Sequence, residues 1–327
     1  MRALVTGGAG FIGHHLVEHI LRATDWRVVV LDRLDTSGSL QRLTEISDWG
    51  RHRKRVDFVW HDLKAPIPSR LAAQIGVVDY VFHLAAGTHV DRSITDPLAF
   101  VYDNVVGTAH ALEWARANPP GRFLYMSTDE VFGPAAQDAA YREWDRYNAG
   151  NPYSATKAGA EELCLAYHNT YGVPVQIVHC MNAIGERQHV EKMVPNTIRK
   201  VRDGEIVTIH ANKTKTQAGS RFYIHARNIA DALLFVLSHG DTGNKFNIVG
   251  EREVDNLELA QMIAHHVGRP LRYEMVDFHS SRPGHDLRYA LDGSKLADMG
   301  WSPPVSFDAG LERVVKWTLL HPEWLIS

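Results

Sequence analysis

Residues Met1 to Gly13 read MRALVTGGAGFIG, a short apolar run that breaks into a loop in which Gly7, Gly10 and Gly13 recur at every third position. Glycine permits backbone angles closed to other residues and lets the chain approach a ligand closely. A helix that begins directly after such a loop presents unpaired amides and the positive end of its dipole, which suits an anion. In this strand–turn–helix setting the glycine pattern predicts a pyrophosphate cradle. An ordinary tight turn between a strand and a helix would leave the same spacing, so the loop alone does not decide the matter.

The pattern continues along the chain. Arg2–Thr6, Arg27–Leu31, Val56–Trp60, Val78–Leu84, Phe123–Ser127 and Val175–Cys180 read as strands, with amphipathic stretches between them at Gly10–Arg22, Pro97–Asn118 and Pro152–Tyr171. Alternation of this kind predicts an α/β fold, a Rossmann-type doubly wound parallel sheet with helices on both faces. Ligands in such sheets bind beyond the carboxyl ends of the strands. Residues 1–180 are expected to form the dinucleotide-binding domain, and 181–327 mainly a smaller α/β substrate-binding lobe, with returns to the sheet near 223–237 and 245–249. A helix is expected over Val190–Asp203, a polar insertion over Asn212–Ser220, and a mobile loop over Ala135–Asn148.

Composition narrows the function. Of 327 residues, 45% are hydrophobic and 22% charged, with a formal net charge of -3, which offers no basic footprint for nucleic acid or an anionic membrane. A small-molecule substrate is the better expectation. Cys164 and Cys180 are the only cysteines, too few for a disulfide framework or a thiolate zinc site, and they point to the reducing cytoplasm. The first strand leaves no room for a signal peptide, and no apolar run approaches a membrane span. The histidine pairs His14-His15 and His265-His266 are adjacent, so their rings are not expected to face one another, and HExxH spacing is absent. No metal is expected.

The strand ends carry the chemistry. Asp32 closes VVVLD about 20 residues beyond the glycine loop, where a carboxylate accepts hydrogen bonds from adenosine ribose hydroxyls and repels a 2′-phosphate. NAD is thereby favoured over NADP, although the neighbouring Arg33 is a residue type that recruits phosphate. Asp62-Leu63 ends the third strand within reach of an adenine amino group, or is a solvated loop acid. Ala85 and Ala86 follow His83-Leu84 at the end of the fourth strand, with side chains small enough for the backbone to pass close to a cofactor. Tyr153 and Lys157 in NPYSATKAG are four apart on one helical face. An ammonium beside a phenol favours phenolate and lowers a pKa that is ordinarily about 10. Ser127 and Thr128 end a strand and supply the surroundings that this pair needs.

Together TGxxGxxG, the acidic strand end, HLAA, the strand-terminal Ser/Thr and YxxxK resemble the extended short-chain dehydrogenases/reductases, the NAD-dependent epimerase/dehydratase family. Within that group HLAAGTHVDRSI (His83–Ile94), MSTDEVFG (Met126–Gly133), EKMVP (Glu191–Pro195) and RPGHDLRYALD (Arg282–Asp292) are most similar to the dTDP-glucose 4,6-dehydratases. The resemblance implies bound NAD held by Gly7, Gly10, Phe11, Ile12, Gly13, Asp32, Asp62, Leu63, Leu84, Ala85, Ala86, Ser127, Tyr153 and Lys157. It implies catalysis by Thr128, Asp129, Glu130, Tyr153 and Lys157, acting on a nucleotide-diphosphate hexose. Substrate contacts are implied at Thr88, His89, Ser93, Asn182, Lys192, Met193, Val194, Arg221, Arg282 and His285, and a homodimer built on Pro97–Asn118 and Pro152–Tyr171.

Asp129-Glu130 discriminates within the group. Oxidising an alcohol needs one base and a hydride acceptor, whereas eliminating water also needs an acid for the departing hydroxyl and a base for the adjacent proton. Two successive acids supply those roles, unless they merely cap the next turn. The expected reaction is NDP-glucose 4,6-dehydration, with dTDP-glucose as substrate. The competing readings are an NDP-sugar epimerase or decarboxylase, and a non-catalytic dinucleotide-binding protein. Two stretches depart from the family pattern: Asn182-Ala183-Ile184-Gly185-Glu186 stands where NNYGP is usual, and ANKTKTQAGSRF (Ala211–Phe222) replaces a compact turn. The second places His210, Asn212, Lys213 and Lys215 where the base is read, and Phe222 where an acid is usual.

Overall fold

The computed structural model describes residues 1–35, 37–277 and 287–326. Six strands, β1 (Arg2–Thr6), β2 (Arg27–Asp32), β3 (Val56–Trp60), β4 (Tyr80–His83), β5 (Arg122–Thr128) and β6 (Val175–Cys180), join Lys245–Ile248 in one seven-stranded sheet. Its order is Lys245–Ile248, β6, β5, β4, β1, β2, β3, and every pairing is parallel. From β1 the chain runs outward through β2 and β3, then crosses back to β4 and runs the other way. The carboxyl ends of β1 and β4 therefore flank a switch point, which opens a crevice in sheets of this kind.

Side-chain alternation explains why both faces are covered. Ala3 and Val5 of β1 pack in one buried cluster with Leu16, Val17 and Ile20 of helix α1 (Phe11–Ala23) and Leu233 and Val236 of the Ala226–His239 helix. Leu4, between them, faces a second cluster that includes Leu112, Trp114 and Cys164. In β5, Phe123 and Tyr125 join the second cluster, and Leu124 and Met126 the first. A period of two with apolar residues at every step is the signature of strands buried on both faces. A further cluster, built on Ile198, Leu259, Ile263, Leu311 and Val315, forms the core of the carboxyl-terminal lobe.

Several local expectations are corrected. The rod expected over Pro97–Asn118 is helical but not uniform: Pro97–Phe100 and Gly107–Ala117 are α-helical and Val101–Val106 is a π-helical turn. Such turns concentrate at functional sites because the extra residue re-aims its neighbours. The lobe helix begins at Met193 rather than Val190, because Lys192 is extended at its amino end. Ala135–Asn148 is not a free loop. Ala135 N donates to Arg288 O at 3.1 Å, Tyr141 N to Ala290 O at 3.0 Å and Asn148 N to Val131 O at 2.9 Å, while Tyr141 stacks on Phe132 at 5.5 Å.

The same segment supplies Tyr147 to a buried charged group behind the sheet. Glu161 accepts from His179 Nε2 at 3.0 Å and pairs with Lys245 Nζ at 3.0 Å, and the Tyr147 hydroxyl bonds both. Burial alone would raise the Glu161 carboxyl, but His179 and Lys245 overcome it and hold the group below the usual carboxylate range. Removing one member of such a group strands the other charge. Lys245→Met is expected to lower stability by about 3–5 kcal/mol, read as a lower midpoint in urea unfolding. A loss under about 1 kcal/mol would show that Glu161 does not depend on Lys245.

Candidate active site

A cleft of about 310 Å³ opens beyond the carboxyl ends of β1, β2, β4 and β5. At one end lies the glycine loop. Gly7 has φ +69°, and a Cβ there would sit 2.8 Å from Ala85 N. At Gly13 an added Cβ would meet Gly7 O at 2.1 Å, so α1 can lie against the loop only without a side chain. Gly10 at the amino end of α1 has no side-chain cap, which leaves the first-turn amides for another acceptor. Asp32, buried at the end of β2, accepts from Ala9 N at 3.0 Å and Leu34 N at 2.9 Å. Phe11, Ile12, Asp62, Leu63, Leu84, Ala85 and Ala86 line the same cleft. A bare cradle, an uncapped helix and a carboxylate at the end of β2 fit a dinucleotide.

At the other end β5 delivers Ser127, Thr128, Asp129 and Glu130 to the cleft. Asp129–Phe132 forms a 3-10 turn, and its cap is Thr128, whose hydroxyl accepts from Glu130 N at 3.4 Å. Capping is therefore done by the threonine, and the two carboxylates are left facing the cleft. Thr128 Oγ1 also donates to Asp129 Oδ1 at 3.0 Å.

The Pro152–Tyr171 helix starts at a capping box in which Asn151 and Ser154 bond reciprocally, with proline in its first turn. Asn151 Nδ2 also donates to Glu130 Oε2 at 3.1 Å, which ties the helix start to the acidic pair. Ser93 accepts from Tyr153 N at 3.2 Å. Asn104, in the π-helical turn, donates to Thr156 Oγ1 at 2.9 Å and to Gly87 O at 3.2 Å, fixing the helix against the end of β4. Nothing in sequence spacing singles out Asn104 or Asn151.

Electrostatics sharpen these roles. Burial, reinforced by the Glu130 charge, raises Asp129 to about 7. Burial lowers Lys157 to about 7, and its ammonium donates to Met126 O at 2.6 Å while lying over the Tyr125 ring. The phenol departs from the sequence expectation of a lowered pKa. Burial and the adjacent Glu130 charge push Tyr153 upward, against a hydrogen bond with Thr128 that pulls it down.

Thr88, His89, Asn182 and Lys192 border the cleft, and Lys192 Nζ donates to Thr88 O at 3.3 Å. Met193 and Val194 do not. Val194 is buried in the lobe core and Met193 packs against it, since the start of their helix turns them inward. Arg221 donates to Leu287 O at 2.8 Å and lies over the Tyr289 ring at 4.6 Å; it stands outside the cleft lining, yet its charge pulls Asp129 down. Arg282 and His285 lie outside the described residues. His210, Asn212, Lys213 and Lys215 do not border the cleft either. Asn212 Oδ1 instead organises its own turn, accepting from Thr216 N at 2.9 Å.

The two sequence departures have packing reasons. Phe222 joins Val131, Phe132, Met181 and Tyr289 in an apolar cluster, where a carboxylate would be out of place. Glu186 is buried among His225, Arg227 and Arg313, and His15 Nε2 bonds its carbonyl at 3.2 Å. Contrary to expectation, the rings of His14 and His15 lie 4.0 Å apart, squeezed together under this group, and burial keeps both below the usual histidine range. Among the described residues, His89, His189 and Glu191 bring possible ligand atoms within 4.8 Å of one another. Arg92 already occupies both Glu191 oxygens, at 2.9 and 3.1 Å, so that charge is answered by a guanidinium.

Known proteins resemble this chain in sequence and in fold. A dTDP-glucose 4,6-dehydratase of Shigella flexneri is 35% identical over 99% of this chain and 94% of its own length. The low-salt glycan biosynthesis protein Agl12 of Haloferax volcanii is 38% identical over 98% of this chain and 99% of its own. A crystal structure of a dTDP-glucose 4,6-dehydratase from Streptomyces venezuelae, with NAD bound, has a TM-score of 0.90 at 34% identity, covering 99% of this chain and 98% of that one. With residues 3–249 matching the model of that family, the chain belongs to the NAD dependent epimerase/dehydratase family.

Proposed function

We propose that the protein is an NAD-dependent dTDP-glucose 4,6-dehydratase, a hydro-lyase of deoxysugar biosynthesis that forms dTDP-4-keto-6-deoxyglucose. The observation that carries the reading is the Asp129-Glu130 pair, which lines the cleft together with Tyr153 while Thr128 caps the turn that bears the pair. Relatives and a similar structure that carry the same activity in their names support it. Residues 1–180 carry the cofactor and the catalytic side chains, and the segment from 181 onward adds Asn182 and Lys192 to the substrate side of the cleft.

NAD, when bound, would supply the acceptor for the hydride of the fourth carbon and, once reduced, its donor to the sixth. Tyr153 removes the proton of the 4-hydroxyl, with Thr128 bonding the phenol and Lys157 adding positive charge when protonated. Glu130 takes the proton from the fifth carbon, acidic once the neighbouring carbon is a ketone. Asp129, whose pKa of about 7 keeps a large share of it protonated at neutral pH, hands its proton to the departing 6-hydroxyl. Lys192 and Asn182 offer donors to the diphosphate at the lobe side.

A homodimer is supported by exposed apolar residues on two successive helical stretches, Ile94 on Val90–Thr95 and Leu98, Val101 and Tyr102 on residues 97–106. Light scattering giving a monomer would remove that part. A cytoplasmic location is supported by two free, buried cysteines, and no helix among the described residues is long and apolar enough to cross a membrane.

Incubating the protein with dTDP-glucose is expected to yield a product lighter by one water, with the alkali-induced absorbance of a ketosugar. UDP-glucose alongside tests the base. Absence of product from dTDP-glucose at any enzyme level would reject the assignment, and an epimer or a pentose would give it to the competing members of the family.

A further inference from the structure

Arg33 follows Asp32 directly and lines the cleft at its adenosine end, so by position it is a cation available to a 2′-phosphate. The structure gives that guanidinium another partner. Asp103, from the π-helical turn, takes Arg33 Nη1 on Oδ1 at 2.5 Å and Nη2 on Oδ2 at 2.8 Å, a bidentate pair of the strongest kind. The third nitrogen, Nε, donates to Asp35 at 2.7 Å, and Nη1 also meets Asp62 at 3.4 Å. All three guanidinium nitrogens are thus engaged. The Asp103 side chain is only 10% exposed and Arg33 is 26% exposed, so the pair is better shielded from water than an ordinary surface ion pair.

Asp103 binds a second cation, Lys64 Nζ, at 3.3 Å. Around the ribose-facing carboxylate of Asp32 stand Asp35, Asp62 and Asp103, against the cations Arg33, Lys64 and Arg42. Arg42 is committed to the carbonyls of Arg187 and Ser37. Four carboxylates therefore stand against three cations where a 2′-phosphate would sit, and loss of Asp103 both brings the two to parity and takes away the bidentate partner of Arg33. The π-helical turn lets consecutive residues divide the work, Asp103 clasping Arg33 while Asn104 ties Gly87 to the Tyr153 helix.

From this geometry we infer that Asp103 is a specificity-determining residue: by clasping Arg33 and Lys64 it disarms a basic pair that would otherwise accept the 2′-phosphate of NADP. The inference rests on the NAD-binding reading above and adds to it the residue that enforces the choice of dinucleotide. Asp103 acts through Arg33 rather than by touching the cofactor's reacting atoms.

The test is displacement of radiolabelled NAD from the full-length protein by unlabelled NAD or NADP, which gives the ratio of the two affinities. Asp103→Asn and Asp103→Ser are each expected to shift that ratio about tenfold or more toward NADP, the scale of one charge-assisted bidentate contact. In Arg33→Ala/Asp103→Asn the ratio should return toward the wild-type value. A ratio within about twofold of wild type in both single variants overturns the inference, as does a gain that survives removal of Arg33 and Lys64 together. Variants that lose NAD without gaining NADP also overturn it, because Asp103 would then support the nucleotide site as a whole. Wild-type protein that holds neither dinucleotide would instead reject the cofactor reading, and this inference with it.

Discussion

Tyr153→Phe is expected to lower kcat for dTDP-glucose dehydration by about 10³-fold, within the usual 10²–10⁴ range for a positioned acid–base group. The ring itself should stay in place. It packs edge-on to Phe100 at 6.4 Å, and its backbone amide donates to Ser93, neither of which involves the hydroxyl. The phenol is neutral at neutral pH, so its removal costs about one hydrogen bond, to Thr128; thermal stability should change little and bound NAD should be retained. Loss of turnover with the melting temperature and dinucleotide content preserved identifies the hydroxyl as chemical. A variant keeping more than about a tenth of wild-type kcat would move the base elsewhere, and Lys157, held near 7, would be the next candidate.

Much of this site was readable because its signals are local. The glycine loop, Asp32, the end of β5 and the Tyr153/Lys157 pair each lie where a strand ends or a helix begins, and periodicity locates those points within a residue or two. The residues that escaped notice act across long sequence separations. Asp103 reaches Arg33 over 70 positions and Asn104 reaches Thr156 over 52, through a π-helical turn that hydrophobic periodicity reads as plain helix. The direction of the Tyr153 shift was missed for a different reason. Spacing shows that Lys157 is on the same helical face, but not that the phenol is buried beside the Glu130 charge, nor that the Lys157 ammonium is aimed at Met126 O. Val194 was misplaced because a motif names a neighbourhood, whereas burial of one face of a helix decides which of its members look into the cleft.

Glu130→Gln and Asp129→Asn should separate the two halves of the elimination, each lowering product formation by about 10²–10⁴-fold. In heavy water the wild-type product should carry solvent deuterium at the fifth carbon, because Glu130 removes that hydrogen and solvent replaces it. Glu130→Gln cannot take the proton, so exchange and product are expected to disappear together. Asp129→Asn keeps the base and lacks the acid, so exchange into recovered substrate should persist while loss of water fails. The pH dependence supplies a second reading. Asp129 must be protonated to act, and with a pKa of about 7 its acid form declines as pH rises through neutrality. Wild-type kcat should therefore fall on the alkaline side of about pH 7. Glu130 contributes to that elevated value through its charge, after burial. Its replacement by glutamine should draw the Asp129 pKa downward, a shift measurable by carboxyl-specific infrared titration even where turnover is lost. Exchange at the fifth carbon surviving in Glu130→Gln, with the Asp129 titration unmoved, would break the assignment of base and acid to this pair.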